Sequence, residues 1–160
     1  MGIRYFARPV PPGLVAIAQI NPGAFLHDAH FWRVWESSRR HPETLFLDKA
    51  WRDMQDLFDP NGQDPPRPAY ELVRGQIQCF GMDIHPFDRV LDPAQVALIA
   101  SDLAQADIRK LYQDCLPQHS PDWAAIMDGR RDSVEYYVAD AAYFTAELAA
   151  RRMGLIYSIG

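Results

Sequence analysis

No stretch of this chain approaches the roughly 18 consecutive apolar residues of a membrane-spanning helix, so no segment reads as crossing a bilayer. No Lys/Arg-rich run exists either. Arg39-Arg40, Arg130-Arg131 and Arg151-Arg152 are isolated pairs in a chain of 21 acids and 16 bases, net charge −5. Nucleic-acid binders draw affinity from neutralising phosphates, so nucleic acid is not an expected partner. Cysteine is scarce: Cys79 and Cys115 stand far apart without metal-type spacing and read as buried free thiols of a reducing compartment. The N-terminus reaches Pro9 without a continuous apolar stretch, which argues against a signal peptide. Phe6 stands where a myristoylation signal wants a hydroxyl. The expected location is cytoplasmic.

What is present suits one domain, taken as residues 1–160. Hydrophobic residues make up 48% and charged ones 23%, which is enough to bury a core and too apolar for disorder. Apolar alternation at Ile3, Tyr5 and Ala7 predicts a strand over 2–8. Leu14, Ile17 and Ala18 predict a short helix ending at Asn21-Pro22-Gly23. A second helix is expected through Phe25, Phe31, Trp32, Val34 and Trp35. Ala50, Trp51, Met54, Leu57 and Phe58 then share one helix face after an Asp48 cap.

The proline-rich stretch 59–70 reads as a surface loop. Strands are expected at 70–74, 76–80 and 88–91. Asp92-Pro93-Ala94-Gln95 is a helix start with a capping box, and Asp107 caps a further helix through Cys115. Residues 117–121 read as a loop. Asp132 with Glu135 predicts the start of the last helix, Gly154 its left-handed stop, and 155–159 a terminal strand. These elements predict an α+β fold, a small, mostly antiparallel sheet packed against several helices.

Candidate chemistry is sparse. His27 and His30 lie three apart on an expected helix, but no further cluster completes a metal site, so no metal or cofactor is expected. No Gly-rich phosphate loop is present, and no serine sits in a nucleophile elbow. Glu71, Asp83 and Asp88 border the expected strands as routine acidic residues, and Cys115 falls on the apolar side of its helix. No catalytic residue is expected.

Charge is unevenly spread. Residues 43–64 hold six acids against Lys49 and Arg52, a net of −4, and residues 122–140 hold five acids against two arginines, a net of −3. A negative patch steers association with a positive partner. Lys49, in a first helical turn, opposes the helix dipole, which suggests a charge held for binding or paired with Asp48 or Glu71. The candidate partner-binding surface is therefore Asp48, Lys49, Trp51 and Arg52, continued by Asp53, Asp56 and Asp59 and flanked by Glu71.

The order of these pieces carries a resemblance over essentially the whole chain. An N-terminal Met-Gly strand precedes a short helix ending in Asn21-Pro22. Leu45-Phe46-Leu47-Asp48-Lys49-Ala50-Trp51, Val90-Leu91-Asp92-Pro93-Ala94-Gln95-Val96 and Gly154-Leu155-Ile156-Tyr157-Ser158 follow. This resembles the YfbM-like family of small bacterial proteins, a domain of unknown function. Arg52 stands where many relatives have His, and Arg74-Gly75-Gln76 and Phe80-Gly81 keep only part of the Gly-rich middle. The resemblance implies the fold and assigns no activity.

The leading expectation is a non-enzymatic protein-binding domain, most concretely an immunity-type protein that binds and neutralises a bacterial toxin. Its partner would then be a basic protein domain. A second expectation is an enzyme or small-ligand binder with a pocket near Asp48–Trp51, using Asp48, Lys49, Trp51 and Glu71. A third is a structural homodimer.

Overall fold

The computed structural model describes residues 3–26, 43–62, 65–81 and 83–160. Its fold is α+β. A four-stranded antiparallel sheet is ordered β2 (Leu45–Asp48), β1 (Tyr5–Val10), β6 (Gly154–Ile159), β5 (Phe87–Leu91). A separate hairpin pairs β3 (Gln78–Phe80) with β4 (Asp83–His85) across a turn in which Gly81 takes φ +64°. The α-helices among the described residues are α1 (Val15–Ile20), α2 (Gly23–Leu26), α3 (Ala50–Phe58), α4 (Pro93–Gln105), α5 (Ile108–Cys115) and α6 (Pro121–Ala150).

The sheet is covered on both faces. Tyr5, Ala7, Leu45, Leu47, Leu91 and Tyr157 point into a main core shared with α3, α4 and α6. On the opposite face Val10 and Ile156 pack with Val15, Ala18 and Leu26 of the two short helices. This explains why every residue of β6 is buried: it lies between β1 and β5 with helices on either side. The terminal strand expected at 155–159 is present as β6 and takes an inner position in the sheet. Gly154 opens that strand. A Cβ there would lie 2.8 Å from both the Leu91 carbonyl oxygen and Val15 Cγ2, so the position is kept bare by packing. The left-handed stop expected at Gly154 falls two residues earlier, on Arg152 at φ 53°.

Several other expectations are corrected. The strand expected at 70–74 is absent: Pro68–Leu72 form a 3-10 turn, because Pro68 presets helical φ and its missing N–H suits a first turn. Asp48 does not cap α3: it ends β2 at φ 47°, and Lys49 holds the N-cap position without a side-chain cap. The last helix does not begin at Asp132. It runs unbroken from Pro121, capped by Ser120, whose Oγ accepts from Trp123 N at 3.2 Å. In α1 Val15 and Ala18 are buried, while Ile17 and the preceding Leu14 are exposed. The cysteines are both free, but only Cys115 is buried. His85, expected in a loop, ends β4.

The capping box at Asp92 is present in full: Asp92 Oδ1 accepts from Gln95 N at 2.8 Å, and Gln95 Oε1 accepts from Asp92 N at 3.0 Å. Asp107 caps α5 through Lys110 N. The expected helix through Phe31–Trp35, together with His27, His30 and His41, lies outside the described residues. No described helix is long and apolar enough to cross a membrane.

Candidate functional site

The acidic face expected on α3 is built mostly of residues engaged within the fold. Asp48 carries Arg4 Nη1 at 3.4 Å. Asp53, only 9% exposed, accepts from Arg130 of α6 at 3.3 Å. Asp56 accepts from the Trp123 indole at 3.0 Å, and its backbone carbonyl accepts from Cys115 Sγ. Asp59 stands at the C-cap of α3, half-buried, with its N–H on the Gln55 carbonyl. The contacts of Asp53 and Asp56 tie α3 to α5 and α6, so these two residues hold the helix in place. Burial raises the Asp53 carboxyl above the ordinary carboxylate range, with Arg130 opposing that shift. Trp51 is 3% exposed and belongs to the main core.

Glu71 is not brought to this face. It lies in the 3-10 turn at Pro68–Leu72, where Arg74 reaches it at 2.8 Å and Arg89 of β5 also binds it. Tyr157 Oη lies 2.6 Å from the Arg74 carbonyl oxygen and 3.1 Å from that of Glu71. Burial pushes the Tyr157 hydroxyl up, so it stays a hydrogen-bond donor. Gln55 of α3 donates to the Val73 and Gly75 carbonyls. Together these bonds pin the 70–75 loop between sheet and helix, a structural role for Glu71.

The remaining candidates do meet. Lys49 and Arg52 are exposed, and the Arg52 guanidinium lies 5.4 Å from the centre of the Trp51 ring. With Ile3, Trp51, Asp53 and Arg130 they line a cavity of about 240 Å³. A pocket near Asp48–Trp51 was expected, but its wall is basic: neither Asp48 nor Glu71 lines it. Arg130 was missed by sequence reasoning because it stands 77 residues from its partner Asp53.

Sequence reasoning also underestimated α6. Its inner face buries Met127, Val134, Val138, Ala141, Phe144 and Leu148. At 100° per residue the opposite side collects Gly129, Asp132, Tyr136, Tyr143 and Glu147. Tyr136 and Tyr143 are each 51% exposed, and Asp122, Asp132 and Glu147 are exposed too. The Tyr136 ring packs edge-on against Tyr137, centroids 5.4 Å apart. This face carries part of the acidic excess expected over 122–140, though Asp128 is paired with Arg131.

Among the described residues no group of three or more His, Cys, Asp or Glu is placed to hold a metal ion. The Cys115 thiol is pushed up to about 11 by burial, with Asp56 and Asp114 adding to the shift, so it stays protonated and unreactive at neutral pH. Compared with known proteins, the chain matches no family model, no curated protein and no solved structure.

Proposed function

We propose that this protein is a non-enzymatic protein-binding domain that docks a basic protein surface on the outer face of α6. The observation that carries the reading is the pairing on that face of two half-exposed tyrosines with the exposed carboxylates of Asp132 and Glu147. Tyrosine supplies large, rigid contact area at small entropic cost and carries a polar tip. The carboxylates supply long-range steering towards positive charge. The helix is 30 residues long and offers a rigid platform of about 45 Å. Against a second copy of the same face, acids would meet acids, which favours a different, basic protein over self-association there.

The most concrete form of the reading is an immunity-type protein of the bacterial cytoplasm that neutralises a basic toxin domain. Kinship with the YfbM-like family belongs to the same proposal. Such a role needs only an occluding surface, which a rigid helix face provides.

The test is affinity capture from the native cells with the wild-type chain and with Tyr136→Ala/Tyr143→Ala, two changes outside the core. The reading expects one stoichiometric basic protein, released by salt and lost with the double variant. Co-expression of the wild-type chain should protect cells from growth arrest by that protein. Equal capture by wild type and variant would overturn the proposed face, and absence of protection would overturn the immunity role.

A further inference from the structure

We propose that the cavity between the β2–α3 turn and the N-terminal half of α6 is a binding site for a small oxyanion of the phosphate or carboxylate class. The site is independent of the docking face, since its residues turn towards α3 and the core edge.

Lys49, Arg52 and Arg130 line the cavity against the single carboxylate of Asp53, three cations less one acid, a local excess of +2 within a chain of net −5. Cations gathered in one concavity of an acidic protein focus the field on an anion entering it.

Asp53 holds Arg130 at the wall, bonding one terminal nitrogen at 3.3 Å and leaving the other N–H groups of a five-donor guanidinium for a ligand. The Trp51 ring positions Arg52 without neutralising it. Neither Lys49 nor Arg52 forms an ion pair with a carboxylate among the described residues, and both are exposed.

At about 240 Å³ the cavity is smaller than the roughly 300–1,000 Å³ of pockets for drug-sized ligands. It suits an anion of a few heavy atoms. Guanidinium forks match the oxygen pairs of both phosphate and carboxylate, whereas a cationic ligand would be repelled and a neutral one would leave the charges unanswered.

The test is an amide-resolved NMR titration of the full chain with inorganic phosphate and, separately, with succinate, against chloride at matched ionic strength. It is repeated on Arg52→Gln and Lys49→Gln, two exposed positions whose loss leaves the core intact. The expected result is saturable shifts at residues 49–53 and at Arg130 with at least one of the two oxyanions and none with chloride. In each variant binding should weaken about tenfold or more, the loss of one charge-assisted hydrogen bond. Whichever probe saturates identifies the ligand as phosphate-like or carboxylate-like. Shifts that do not saturate at millimolar probe, that chloride reproduces, or that survive unchanged in both variants would overturn the site.

Discussion

At the scale of single residues, Asp53 shows how burial decides what a charge does. Its carboxyl sits at the edge of the core, where desolvation outweighs the attraction of Arg130 and raises its pKa from 3.8. The folded chain therefore holds that proton more tightly than the unfolded chain. By linkage, this group's contribution to stability is full below pH 3.8 and is lost as pH rises through the raised value. Asp53→Asn keeps an oxygen acceptor for Arg130 and removes the titration. Urea unfolding across pH 3–7 should show a variant whose stability declines less with rising pH over the acidic part of this range. Its stability at neutral pH should match or exceed that of wild type. An unchanged pH dependence would show that Asp53 does not titrate as its burial requires. None of this was legible in the sequence, where Asp53 was one more acid on a helix. Its partner Arg130 stands 77 residues away along the chain.

At the scale of elements, local signals were readable and distant ones were not. Asp92-Pro93-Ala94-Gln95 specifies its own helix start because cap, proline and capping box lie within four residues, and the structure has both reciprocal bonds. The same logic applies to Ser120-Pro121, where a hydroxyl cap precedes a proline at the first helical position. That start was overlooked because residues 117–121 read as a loop while Asp132 and Glu135 match a helix start. The helix passes through them because Met127, Val134 and Val138 stay on one buried face. The two readings make opposite demands. Ser120→Ala should lower stability by about 1 kcal/mol, while Asp132→Ala, at an exposed mid-helix position, should change it by less than about 0.5 kcal/mol. Denaturant midpoints of the two variants decide between them, and a larger loss at Asp132 would contradict the unbroken helix.

At the scale of the whole molecule, the two acidic stretches serve different ends. Counting charges along the sequence marked two acidic stretches correctly, but could not distinguish acids that hold the fold from acids offered to a partner. The first stretch folds inward: Asp53 meets Arg130 and Asp56 meets Trp123, over separations of 77 and 67 residues. The second leaves Asp132 exposed beside the tyrosines of α6, and only the burial of the opposite helix face reveals that arrangement. The fold class was legible because periodicity and caps are local. The proposed docking face was not, because it is defined by what the rest of the chain fails to cover.

The most direct measurement is the affinity of the captured basic partner for two charge variants, one from each acidic stretch. Asp132→Lys reverses a charge on the outer face of α6. Asp56→Asn removes a charge from α3 while keeping an acceptor for the Trp123 indole. The account predicts binding weakened about tenfold or more by Asp132→Lys, mainly through slower association at low salt, and unchanged by Asp56→Asn. Loss of binding with Asp56→Asn and none with Asp132→Lys would contradict the account and return the interface to α3.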